Sequence, residues 1–201
     1  MVEYDSEKKA VKNEDTERRA RMELYDWLQC IVTAIICGVL IFVFIGRTIS
    51  VEGRSMMQTL HHSDRVIMSN FNYYPENGDI VVFQSPSDLF EYPLVKRVIA
   101  TEGQTIDMNF DTGDVFVDGT VTHEPYIHTM TTSRHDFSEP VTIPKGFVFV
   151  MGDNRNSSTD SRDNEVGLVD TRYILGKVLF VLIPGIDDHG YRDWNRFGMT
   201  G

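Results

Sequence analysis

Cysteine is almost absent. The 201 residues hold two, Cys30 and Cys37, both inside the most apolar stretch near the N-terminus. The remainder of the chain therefore cannot be a disulfide-stapled fold, and it offers no Cys-based zinc site and no Cys nucleophile. Both cysteines read as small hydrophobes facing lipid. Basic clusters are lacking as well: 19 Lys and Arg stand against 30 Asp and Glu, for a formal net charge of −11. Phosphate backbones need a basic patch, so nucleic acid is not expected as a partner. An acidic domain is also poorly suited to lying flat on anionic lipid heads. There is no Gly-x-Ser-x-Gly elbow, no His-Glu-x-x-His helix, no Gly-rich phosphate loop, no internal repeat and no low-complexity tract. His123, His128 and His135 have no ligand-like spacing and no cysteine beside them, so they are expected to be loop histidines. No metal and no organic cofactor are expected.

What is present begins with one long apolar run. Trp27 to Gly46 covers twenty residues without a charge, the length a helix needs to cross the hydrocarbon core. A cleaved secretory signal would have a shorter apolar centre and then a small-x-small site; here Phe42, Val43, Phe44 and Ile45 occupy the end. Residues 27–46 are therefore expected to be an uncleaved transmembrane helix. Residues 1–26 form a charged tail, readable as a frayed helix or as disordered. Arg18, Arg19 and Arg21 lie before the span, and only Arg47 and Arg54 follow it closely. The excess of positive residues keeps the N-terminal side cytoplasmic and puts residues 47–185 outside the cell membrane, followed by a C-terminal tail over 186–201.

That outer part reads as β. Arg65–Met68, Asp79–Phe83, Leu94–Ala100, Thr105–Met108, Asp114–Val117, Phe147–Met151 and Lys177–Leu182 are short runs rich in Val, Ile and Phe, bounded by Gly, Asn, Asp and Pro. Asp111-Thr112-Gly113 predicts a hairpin. Residues 118–146 are more polar and less periodic, which suggests an inserted lobe or long loop, with the lobe as a whole spanning about 104–146. The expected class is mostly β: antiparallel sheets in a roll or barrel, preceded by one transmembrane helix.

Three segments carry chemistry. Ser55 sits in Val51-Glu52-Gly53-Arg54-Ser55-Met56-Met57-Gln58-Thr59-Leu60, where Gly53 suggests a tight turn before an exposed hydroxyl. Lys96 interrupts the apolar strand Leu94–Ala100. Strand alternation places Lys96 with Val98 on one face and Arg97 with Val95 and Ile99 on the other, so one of the two cations points inward. A lysine desolvated by apolar neighbours loses its proton more readily and can then take one from a serine hydroxyl. Alternatively Lys96 reaches to the surface and Arg97 pairs with an acid. Gly152 to Arg162 is too rich in Gly, Asp, Asn, Ser and Arg for a core strand, and is either a solvated loop or a tightly hydrogen-bonded turn that scaffolds a site.

Taken in order, and together with the strand run after Gly78, these segments resemble the box motifs of the type I signal peptidases, the Ser/Lys-dyad leader peptidases. Ser55-Met56-Met57-Gln58-Thr59-Leu60 is similar to Ser-Met-x-Pro-Thr-Leu, and Gly78-Asp79-Ile80-Val81-Val82 to Gly-Asp-Ile-Val-Val. Lys96-Arg97-Val98-Ile99 resembles Lys-Arg-Val-Ile, and Gly152 to Arg162 resembles Gly-Asp-Asn-Arg-x-x-Ser-x-Asp-Ser-Arg. The resemblance implies a membrane-anchored serine endopeptidase that cuts leader peptides from exported pre-proteins after small residues at the last and third-last leader positions. It implies Ser55 as nucleophile and oxyanion donor through its N–H, and Lys96 as general base. Ser158 would orient the amine, and Asp153, Asp160 and Arg162 would hold the loop. Ile49, Val51, Leu60, Leu94 and Val95 would wall the substrate pocket, with the leader adding as a strand. Pre-proteins and membrane lipid are the implied partners of a monomer. Gln58 stands in place of the family's usual Pro, Gly53 in place of a frequent hydroxyl residue, Ala100–Gln104 in place of Gly-x-Pro-Gly-Asp, and Ser157 in place of a frequent Asn. A soluble self-cleaving repressor shares the Ser/Lys chemistry but often begins with a DNA-binding helical domain. A non-catalytic homologue acting in surface-protein or pilus assembly usually lacks the Ser or the Lys, and both are present here.

Overall fold

The computed structural model describes residues 2–44, 46–86, 89–186 and 190–199, with side chains described from Arg18 onward except at 20, 41–44 and 199. It divides into two compact units, one ending at Phe44 and the other running from residue 45 onward.

The first unit is a single helix, α1 (Val2–Phe44). It includes the charged stretch before Trp27, which the sequence left open between helix and disorder. Leu, Ala, Glu, Lys and Arg dominate that stretch and favour helix without tertiary help. Within α1, Arg21–Leu40 is long and apolar enough to cross a membrane, and its residues are exposed throughout. The helix stops at Phe44, two residues short of the expected end of the span at Gly46, and Ile45 lies outside the described residues.

Among the described residues the second unit holds twelve strands: β1 (Arg47–Ser50), β2 (Arg65–Ser69), β3 (Ile80–Phe83), β4 (Leu94–Ala100), β5 (Thr105–Asn109), β6 (Asp114–Val117), β7 (Thr120–Val121), β8 (Val141–Thr142), β9 (Phe147–Met151), β10 (Val169–Asp170), β11 (Ile174–Ile183) and β12 (Gly198–Met199). Eight form one sheet in the order β1-β2-β11-β3-β4-β9-β10, with β12 beside β11. Four form a second sheet, β7-β6-β5-β8. Every pairing is antiparallel. Register shifts on β11 and between β4 and β9 mark bulges, which bend strands and sharpen their twist. The class read from the sequence, mostly β in antiparallel sheets after one apolar helix, is the class found.

Three apolar clusters hold this unit. One gathers Val51, Met56, Leu60, Val66, Ile80, Val82 and Val95 under β1 and β2. A second joins Ile99, Ala100, Phe149 and Met151 of the long sheet to Ile106, Val115 and Val117 of the short one, with Phe137 and Ile143 added from outside the strands. A third packs Val81, Phe83, Val98, Val148, Val150 and Ile174. The polar stretch after Asp118 thus contributes Phe137 and Ile143 to a real core and adds the brief strands β7 and β8. The C-terminal segment, expected as a tail, is also tied in where described. Arg196 pairs with buried Asp64 and donates to the Thr59 carbonyl at 3.3 Å, and Phe197 packs edge-on against Phe180. Asp187–His189, Thr200 and Gly201 of that tail lie outside the described residues.

Candidate active site

β4 lies between β3 and β9, and every residue from Val95 to Ala100 is buried. Alternation on a strand covered on only one face would expose either Lys96 or Arg97. Because both faces are covered, both cations are inside, at 3% and 2% exposure. The expectation that only one of them points inward is corrected on this ground.

Their surroundings differ. Lys96 Nζ donates to Ser55 Oγ at 2.7 Å. Burial lowers the Lys96 pKa to about 8; Asp160 opposes this, Arg162 reinforces it, and Asp153 and Asp163 oppose it again. Arg97 instead makes a two-pronged pair with Asp153, Nε to Oδ1 and Nη2 to Oδ2, both at 2.8 Å, and gives Nη1 to the Gly78 carbonyl at 2.8 Å. The same carboxylate accepts from the Thr59 hydroxyl, four residues beyond Ser55.

Ser55 sits in a run of turns between β1 and β2. Gly53 has φ +88°, a conformation that a side chain would strain. Its N–H donates to His62 Nδ1 at 3.2 Å. Met57 N–H closes a turn onto the Arg54 carbonyl (3.2 Å), and Leu60 N–H returns to the Met56 carbonyl (2.9 Å). Met56 and Leu60 anchor the turn in the first cluster.

Gly152 to Arg162 is the hydrogen-bonded scaffold, not a solvated loop: Asp153, Arg155, Ser158, Asp160 and Arg162 are all buried. Arg162 grips Asp160 through Nε (2.9 Å) and Nη2 (2.8 Å), and reaches the carbonyls of Arg155 and Ser133. Burial alone would raise the Asp160 pKa, but Arg162 and the Gly152 N–H (3.0 Å) hold it below the ordinary carboxylate value. A Cβ on Gly152 would lie 2.3 Å from Ser158 Oγ and 2.4 Å from the Ser55 carbonyl oxygen, so only glycine allows this loop so close to the serine. Ser158 is buried beside it; its hydroxyl is near enough to Asp160 to help lower that pKa, but it meets the full geometry of a hydrogen bond with none of the described residues.

Two further members carry no signal that sequence reasoning could have found. Glu124 takes both terminal nitrogens of Arg155, at 2.7 and 2.5 Å. Tyr126 lies 3.8 Å below the Arg97 guanidinium and 5.9 Å from that of Arg155. Two arginines with no room for water require acids and a flat ring, but only the fold tells which residues supply them. Of the expected pocket residues, Ile49, Val51, Leu60 and Val95 share one cluster, whereas Leu94 packs with Phe83 and Val98 in another. Among the described residues, no group of three His, Cys, Asp or Glu is arranged to hold a metal. His135 pairs with Asp163 at 2.8 Å.

A serine hydroxyl against a dry lysine amine, on a β scaffold braced by buried ion pairs, is the arrangement of hydrolases that use lysine where others use histidine. The family model described as signal peptidase, peptidase S26, matches residues 24–183. Signal peptidase I P of Bacillus subtilis subsp. natto is 35% identical over 180 residues, covering 85% of this chain and 95% of its own. Signal peptidase I T of Bacillus subtilis (strain 168) is 36% identical over 187 residues, covering 86% and 94%. Thylakoidal processing peptidase 1 of Arabidopsis thaliana is 33% identical over 175 residues, covering 80% of this chain and 49% of its own. The chain belongs to the signal peptidase family, peptidase S26.

Proposed function

We propose that this chain is a membrane-anchored serine endopeptidase that removes N-terminal signal peptides from exported pre-proteins, with Ser55 as nucleophile and Lys96 as general base. The observation that carries the roles is the 2.7 Å contact between an amine lowered to about pKa 8 and the Ser55 hydroxyl. Neutral Lys96 takes the hydroxyl proton as Ser55 Oγ attacks the scissile carbonyl. The tetrahedral oxyanion forms against the Ser55 N–H. On collapse, the Lys96 ammonium returns the proton to the departing amine of the mature protein, leaving the leader as an ester on Ser55. Water, deprotonated by the same amine, then hydrolyses the ester.

In this scheme Asp153, Asp160 and Arg162 hold the loop, and Ser158 orients the amine. The leader adds as a strand and presents small side chains to the apolar wall of Ile49, Val51, Leu60 and Val95, with Leu94 behind it. α1 anchors a monomer in the cell membrane. The arginines before the span keep the N-terminus cytoplasmic and the catalytic domain outside. Full-length protein in detergent should cleave a leader-bearing pre-protein, and Ser55→Ala and Lys96→Met should each reduce cleavage by a factor of about 1000 or more. Normal cleavage by either variant overturns the assignment.

A further inference from the structure

Asn154 stands between two residues that cannot move. Asp153 is locked to Arg97, and Arg155 to Glu124. From that fixed position Asn154 touches the nucleophile's backbone twice. Its N–H donates to the Ser55 carbonyl at 3.0 Å. Its side-chain Nδ2 donates to the Arg54 carbonyl at 3.1 Å. The two carbonyls belong to the two peptide planes that flank the Ser55 Cα.

A peptide unit is planar, and its C=O and N–H point in opposite directions. A donor that fixes the Arg54 carbonyl therefore also fixes the direction of the Ser55 N–H, which shares its plane. The carbonyl is already turned by the Met57 N–H at 3.2 Å, a bond within the same short turn. Asn154 adds a donor from outside the turn, a hundred residues away in sequence. It thereby ties the turn to the loop that packs against Lys96. Gly53, which precedes this plane, has no side chain that could steady it or donate in its place.

We propose that Asn154 is a positioning residue for the oxyanion: its side-chain amide sets the Arg54–Ser55 peptide plane and so aims the Ser55 N–H at the charge that develops on the scissile carbonyl. This rests on the Ser55/Lys96 mechanism above. Asn154 touches neither substrate nor reacting atoms.

The test uses full-length protein in detergent and two non-donating variants, Asn154→Ala and the near-isosteric Asn154→Leu. The probes are a leader peptide truncated at the cleavage site and ending in an aldehyde, and the same peptide ending in an alcohol. The aldehyde carbon bonds to Ser55 Oγ and its oxygen takes the oxyanion's place; the alcohol only occupies the cleft. Both variants should lose about 10-fold in kcat with KM within about twofold, less than the roughly 100- to 1000-fold lost when an oxyanion donor itself is removed. Aldehyde affinity should fall by the same factor as kcat/KM. Alcohol affinity and the pH midpoint of kcat/KM should stay unchanged. The proposal is overturned if aldehyde and alcohol affinities fall together, or if neither falls. Ser55→Ala separates the two levels: in that variant the aldehyde should bind no tighter than the alcohol. If it still binds tighter, the dyad mechanism has failed and takes the role of Asn154 with it.

Discussion

Lys96 and Arg97 are neighbours on one strand and equally dry, yet among the described residues one has no acid in direct contact and the other is held by two prongs of a carboxylate. Burying a lone ammonium is costly, and the cost appears as a lowered pKa. Burying a guanidinium beside a carboxylate and above a tyrosine ring leaves the charge in place. Two side chains of the same sign, one position apart, are thus fitted for different tasks: one, on the proposed mechanism, to give up its proton, the other to hold the carboxylate of Asp153. A buried charge can serve chemistry or architecture according to its partner.

The comparison breaks most visibly on the architectural side. Asp153→Asn leaves Arg97 buried against an uncharged amide and should destabilise the outer unit by about 3–5 kcal/mol, read as a fall in the denaturation midpoint of the full chain in detergent. Lys96→Met should behave in the opposite way, keeping or raising that midpoint below pH 8 while losing cleavage. The folded pKa of about 8 lies below the ordinary 10.5, so the folded state sheds this proton first. Wild type should therefore gain stability relative to Lys96→Met as pH rises from about 8 to 10.5, and its kcat/KM should climb to a plateau with a midpoint near 8. A flat profile across that range would mean that Lys96 is an ordinary ammonium. At the small end, Arg172→Ala removes an arginine that is 84% exposed and pairs at the surface with Asp170, itself 12% exposed. Neither the midpoint nor cleavage should change measurably.

Much of this could be read along the chain because strand runs are local. The seven runs from Arg65–Met68 to Lys177–Leu182 all fall on strands, since β-branched and aromatic residues between turn formers need no distant partner to declare themselves. β1 was missed because Arg47–Ser50 carries only one apolar residue, and β7, β8, β10 and β12 because two residues have no pattern. At the site, Ser55 and Lys96 were marked by their motifs, and the structure sets them 2.7 Å apart. Glu124, Tyr126 and Arg196 were not marked. Each stands in an unremarkable polar stretch, and its meaning comes from an arginine or aspartate 31, 29 or 132 positions away. Even strand alternation, a sound local rule, misjudged β4, because whether a strand is covered on one face or two is decided by what packs on it later in the sequence.

The close approach of Gly152 to Ser55 has a consequence for timing. Synthesis delivers the serine first, the lysine 41 positions later, and the loop that packs on both only after about a hundred positions. Until those residues leave the ribosome, the lysine has neither Asp160 nor Arg162 beside it and the hydroxyl remains an ordinary alcohol. On the proposed mechanism a half-made chain should be chemically harmless, and cutting power should switch on only once the late segment closes over the early one.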